Sequence, residues 1–169
     1  MVNPEPKRKD IKRYPMKKTH YILLFTLLLF LIFNVSSALA EMVSISGNDI
    51  NMRSGPGKKY KIIWKLGNGF PLKVLKRSGS WIRVQDFEGT IGWVYKKVVT
   101  KTPHMIVKVH KNTKKRINVR IAPAVNKRIV AKAYYGVVFK TLGRKKGWVK
   151  VRHGRRVTGW VKRSLLWGF

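Results

Sequence analysis

The sequence predicts an all-β protein, two small β-barrels in tandem behind an N-terminal signal helix, and three observations carry that expectation. Residues Ile50 to Val99 align without a gap onto Ile117 to Leu166 at a constant offset of 67 positions, and fifteen of those fifty pairs are identical. One small domain is therefore written twice. Within each copy apolar residues alternate at strand spacing between breaks of Gly, Pro, Asn and Ser, with no long helical stripe. Ahead of the copies stands one short apolar run between lysines and small residues.

That run, residues 22 to 33, follows Lys17 and Lys18 and precedes Ala38-Leu39-Ala40. The order of basic segment, apolar core and small-x-small site is that of an export signal. It is short for a membrane span of roughly 20 residues, so an uncleaved anchor is the alternative. Residues 1–40 are expected to be the signal, with Met16 as an alternative start, and the mature chain to be periplasmic or extracellular. No cysteine occurs, which excludes a disulfide framework and a lipid-modified cysteine.

The first copy is placed at residues 41–100. Asp49 to Arg53 alternates polar and apolar before Ser54-Gly55-Pro56-Gly57, and strands are expected at Ile62–Leu66, Leu72–Leu75, Trp81–Val84 and Gly92–Tyr95. Residues 101–104 read as a short linker. The second copy then occupies 105–169, opening with a strand at Met105–Val109. Its further strands are expected at Ile117–Arg120, Arg128–Ala131, Phe139–Leu142, Trp148–Val151 and Gly159–Lys162. Five short antiparallel strands hide their edges by curling into a barrel. With so short a linker, apolar residues near the joint are expected to pack the two copies together.

The ordered motifs Asn51-Met52-Arg53-Ser54-Gly55-Pro56-Gly57, Tyr60, Ile62-Ile63, Leu72-Lys73-Val74-Leu75, Ser80-Trp81-Ile82-Arg83-Val84 and Gly92-Trp93-Val94 resemble the bacterial SH3-type (SH3b) domain. The likeness covers nearly all of the mature chain as a tandem pair. It implies an SH3-like barrel, partly opened, and a role as a wall-directed or partner-binding module. The second copy departs from the pattern: Ser54-Gly55-Pro56-Gly57 becomes Ile121-Ala122-Pro123-Ala124, Tyr60 becomes Lys127 and Trp64 becomes Ala131. Those changes bear on peptide binding there more than on the fold.

Arg53, Tyr60, Trp64, Trp81 and Trp93 are the candidate ligand-binding groove of the first copy. Tryptophan offers a flat apolar face with an N–H donor, and arginine a fork for carboxylate or phosphate. Each has a structural alternative. Repeated tryptophans (Trp81/Trp148, Trp93/Trp160) suit packing, Arg53 and Arg120 suit pinning a turn through backbone carbonyls, and Asn51 and Asn118 suit turn bonds.

Charge divides the copies. Residues 41–100 hold 11 Lys/Arg against 4 Asp/Glu, whereas residues 101–169 hold 20 Lys/Arg and no carboxylate. Such a surface repels itself unless an anionic partner neutralises it. Lys114, Lys115, Arg116, Arg144, Lys145, Lys146, Arg155 and Arg156 form the expected basic patch.

Catalysis finds no foothold: there is no cysteine, the histidines lack metal-site spacing, and Asp86 and Glu88 stand two apart in a turn segment. No cofactor and no metal site is expected. The function expected is a non-catalytic envelope-binding module that recognises wall peptide or an anionic envelope polymer. An acidic membrane surface is a further candidate partner, and an adaptor for an acidic envelope protein is the alternative function. Export argues against nucleic acid as the normal partner.

Overall fold

The alternation of apolar and polar residues becomes fourteen short strands in two sheets. The computed structural model describes residues 40–169; the expected signal helix and the alternative start at Met16 lie outside these. The first sheet comprises β1 (Met42–Ile45), β2 (Ile50–Arg53), β3 (Ile62–Leu66), β4 (Pro71–Ser78), β5 (Trp81–Gln85), β6 (Ile91–Tyr95) and β7 (Val99–Thr100). The second comprises β8 (His104–Val107), β9 (Ile117–Arg120), β10 (Ile129–Ala133), β11 (Val138–Lys145), β12 (Trp148–His153), β13 (Val157–Lys162) and β14 (Leu166–Gly168). All pairings described are antiparallel, in the orders β3-β2-β6-β5-β4-β1-β7 and β10-β9-β13-β12-β11-β8-β14.

The expectation that each copy curls into a small SH3-like barrel is corrected here. Each sheet is open: β3 and β7, like β10 and β14, are the terminal strands of their sheets and do not pair with each other. The need to hide edges does not demand closure, because the chain blunts its edges by other means. β7 is two residues long and β14 three, while β3 and β10 present Lys65 and Lys132. Helical structure among the described residues amounts to two three-residue 3-10 turns, Lys96–Val98 and Arg163–Leu165. Neither is long and apolar enough to cross a membrane.

Each open sheet still encloses its own core because its longest strand bends. β4 pairs with β1 through Pro71–Lys73 and with β5 through Lys73–Ser78, and its register slips between Val74 and Lys76. β11 repeats the slip between Thr141 and Gly143. The extra residues are Leu75 and Leu142, an identical pair of the repeat, and such bulges turn a strand sharply. Val43, Ile45, Met52, Leu66, Leu72, Ile82, Val84 and Val94 fill the first core. Met105, Val107, Ile117, Val119, Ala133, Phe139, Val149, Val151, Val161 and Leu166 fill the second.

The offset of 67 fails at one place. β1 and β8 stand 62 apart, so the loop Lys108–Arg116 is five residues longer than its counterpart Ser46–Asp49. The insertion supplies His110 and Lys111, and both acquire contacts described below.

Residues 40–169 form one compact unit, and the two sheets meet through side chains at the margins of the cores, Phe70 of the first among them. Ile106 is buried yet belongs to neither core. Phe87 stacks edge-on with Phe70 at 5.9 Å and packs on Tyr135 at 5.2 Å. Beside this apolar contact Glu88 accepts hydrogen bonds from the Tyr135 hydroxyl and from Lys111 Nζ, the latter at 2.9 Å.

These two bonds, Tyr135 foremost and then Lys111, hold the Glu88 carboxyl below the ordinary glutamate range. The carboxylate therefore stabilises the joint above that range, and the contribution is lost as pH falls through the lowered folded-state value. Glu88→Gln is expected to lower the thermal midpoint of the full chain at pH 6, with the difference from the parent shrinking as the pH falls below 4.5. A constant difference through that fall would show that Glu88 does not tie the sheets together.

Candidate functional site

β5 and β6 build the site because alternation sends one set of residues inward and the other out. Ile82, Val84, Gly92 and Val94 are buried, which leaves Trp81, Arg83, Trp93 and Tyr95 on the outer face. The turn that fixes their register is closed by Asp86, whose Oδ1 accepts the backbone N–H groups of Glu88 at 2.9 Å and Thr90 at 2.8 Å. Trp81 thus faces Tyr95 directly, with ring centroids 5.8 Å apart in a T-shaped pair.

This pair walls a groove of about 440 Å³, completed by Asp49, Ile50, Asn51, Arg53, Lys58 and Val98. The groove offers one carboxylate, two cations and an aromatic wall. Asn51 Oδ1 is buried there without a hydrogen-bond partner, an acceptor that a ligand N–H would satisfy.

Of the five residues expected to form one groove, the structure brings Arg53 and Trp81 together and disperses the others. Trp93 lies two residues before Tyr95 on the same face, in register with Arg83 and Arg53 but outside the groove wall. Tyr60 lies flat on the 54–57 turn, so close that a Cβ at Gly55 would sit 2.4 Å from its ring. The exchange of Gly55 for Ala122 and of Tyr60 for Lys127 across the repeat is therefore one change: without the ring, the turn accepts a side chain. Trp64, 53% exposed on terminal strand β3, lines a separate hollow of about 250 Å³ with Phe70, Phe87, Glu88, Ile106 and Gly136, between the two sheets.

Arg53 also pins its turn: Nη1 donates to the carbonyl oxygens of Lys58 at 2.9 Å and Tyr60 at 2.8 Å. Arg120 does the same to Lys127 at 2.6 Å. The remaining guanidinium donors of Arg53 still border the groove. Tyr95, Asp49 and the acceptor role of Asn51 do not stand out in the sequence. The available signal is the alternation Ile91-Gly92-Trp93-Val94-Tyr95, which places Tyr95 beside Trp93.

The second sheet holds the equivalent groove, about 250 Å³, lined by Arg116, Ile117, Asn118, Arg120, Val125, Trp148, Lys162 and Leu165. Each of these is a first-groove position plus 67, and His110 joins them from the inserted loop. The expected basic patch is split by this geometry. Arg116 borders the groove, and Arg144, Lys145 and Lys146 line, with Arg163, an adjoining hollow that shares Trp148 with it. Arg155 and Arg156 sit in the β12–β13 turn, five residues along β12 and so roughly 17 Å away. Lys114 and Lys115 are exposed in the inserted loop.

Among the described residues no three His, Cys, Asp or Glu side chains group as a metal site. Both turn carboxylates are committed, Asp86 to its turn and Glu88 to the joint. Neither groove is lined by a serine, threonine or cysteine, or by a pair of carboxylates.

A family model for the bacterial SH3 domain matches residues 46–101 and again 113–168. The chain is 27% identical over 161 residues to the Bacillus subtilis protein named "Putative N-acetylmuramoyl-L-alanine amidase YrvJ", covering 89% of this chain and 31% of the relative. It is 37% identical over 62 residues to the Staphylococcus epidermidis "Probable cell wall amidase LytH", covering 36% of this chain and 21% of that one. The chain thus spans less than a third of the length of these curated relatives. Among solved structures, an NlpC/P60 family protein from Bacillus cereus superposes with a TM-score of 0.35 at 14% identity, over 75% of this chain and 56% of that one. NlpC2 from Trichomonas vaginalis gives 0.34 at 11% identity, over 79% and 50%.

Proposed function

The chain belongs to the bacterial SH3 domain family, which it carries twice, and from that premise we propose that it is a non-catalytic, exported module of the cell envelope whose first copy binds wall peptide. The observation that supports this reading is the first groove. Its Trp81–Tyr95 wall would cover the apolar part of a short peptide, and the buried Asn51 acceptor would take a backbone N–H. Asp49 would meet an amine, and Arg53 and Lys58 a carboxylate. Both relatives are named as amidases, one of them as a cell wall amidase, which supports a role beside wall chemistry, and the matched share of each is too small to bring its activity with it.

Co-sedimentation of the full chain with purified peptidoglycan stripped of phosphate polymers tests the proposal. Trp81→Ala with Tyr95→Ala is expected to weaken retention roughly 30-fold, the effect of losing an aromatic anchor worth about 2 kcal/mol. Far-UV circular dichroism checks that the sheets persist. Unchanged retention by a folded double variant would defeat the peptide reading.

A further inference from the structure

The two grooves occupy the same place in the same fold, so their differences report a change of ligand. Three positions change chemical character: Asp49 becomes Arg116, Tyr95 becomes Lys162 and Lys58 becomes Val125. The first groove holds one carboxylate and two cations; the second holds Arg116, Arg120 and Lys162 with no carboxylate, and His110 at its rim. No Asp or Glu exists anywhere in residues 101–169 to neutralise them.

Lys162 stands directly opposite Trp148 in register, and Arg116 lies 5.5 Å from the centre of the Tyr134 ring, a cation–π contact that holds its guanidinium. Trp148 lines both this groove and the adjoining hollow, where Arg144, Lys145, Lys146 and Arg163 gather. Two cation-lined hollows therefore share one tryptophan.

We propose that the second groove and the hollow that shares Trp148 form one track for a linear polyol- or sugar-phosphate polymer, with phosphates on the cations of each and one saturated unit over the indole. Cations crowded without a counter-charge in two hollows that share a flat apolar side chain match a chain with anions at intervals. Nucleic acid fits less well, because successive bases need successive aromatic platforms and the second one, Tyr95 in the first copy, is Lys162 here. A lipid surface fits less well too, since the cations line recesses rather than a projecting apolar face. The inference takes from the proposed envelope role only the source of the polymer; the recognition chemistry stands on the grooves.

The test uses fluorescence anisotropy of a labelled glycerol-phosphate oligomer titrated with the full chain. Arg116→Asp with Lys162→Tyr, residues the first groove already accommodates at these positions, is expected to weaken binding at least about tenfold near 0.1 M salt, and the slope of log affinity against log salt should fall by about two. Arg155→Ser with Arg156→Ser, in the distant turn, should change affinity less than about twofold, because those two guanidinium groups lie off the track. Equal weakening by the two pairs would replace the track with diffuse charge and overturn the proposal. So would single-stranded DNA of equal charge binding as tightly, or competition by phosphatidylglycerol vesicles at matched phosphate. Trp81→Ala with Tyr95→Ala should leave oligomer affinity unchanged, so failure of the peptide reading and failure of this one appear in different variants.

Discussion

Phe139→Ala is expected to unfold the second sheet at 25 °C, at a cost of about 3–5 kcal/mol. The ring is the largest fully buried side chain among the described residues and is 1% exposed, packed in a core with Met105, Val107, Val149 and Val151, with the His153 ring edge-on at 5.8 Å. A module of this size holds only about 3–5 kcal/mol of stability from one core, so the cavity alone consumes it. The excess of positive charge in residues 101–169 removes any reserve that internal ion pairs would have provided. The repeat supplies the control. Leu72 fills the equivalent place in the first core, so Phe139→Leu leaves a smaller void and should cost less than about 1.5 kcal/mol. Urea unfolding followed by circular dichroism separates the outcomes, and equal midpoints for the two variants would show that the core does not depend on this ring.

The same comparison between copies explains what is legible without the structure. Trp81 and Trp148, Gly92 and Gly159, and the alternation along β5, β6, β12 and β13 specify an antiparallel all-β fold, because inward and outward faces follow from a period of two. Edge treatment is less legible: whether β3 meets β7 depends on curvature set by single-residue bulges at Leu75 and Leu142, which look like ordinary apolar residues. The site is legible at Trp81 and Arg53 and not at Tyr95, whose pairing with Trp81 depends on a register fixed by the Asp86 turn. Trp64 resembles a member of that site because it is aromatic and absent from the second copy. Its actual neighbours include Ile106 and Gly136 of the other sheet, and no local pattern encodes how two copies dock. The inserted loop is hidden from the repeat because the ungapped alignment begins at Ile50, after it.

Gly159→Ala is expected to cost about 1–3 kcal/mol by overpacking and also to weaken binding in the second groove. A Cβ there would lie 2.7 Å from the Arg120 carbonyl oxygen and 2.7 Å from Val119 Cγ1. At the equivalent Gly92 the nearest atoms are Met52 Cγ at 2.7 Å and Ile63 Cδ1 at 2.8 Å, with the Arg53 carbonyl oxygen at 3.0 Å. Unbranched Met52 and the terminal Cδ1 of Ile63 yield more readily than a carbonyl, which moves only with its strand, so Gly92→Ala should be the milder change. β13 touches β9 at a single register pair, Trp160 with Arg120. Pushing that crossing apart displaces Arg120 and Asn118 together, and both line the groove. Gly159→Ala should therefore lower the thermal midpoint and the glycerol-phosphate affinity in the same protein, while Gly92→Ala leaves that affinity intact. A Gly159→Ala protein with reduced stability and full affinity would mean that the β9–β13 crossing supports the fold without positioning the site.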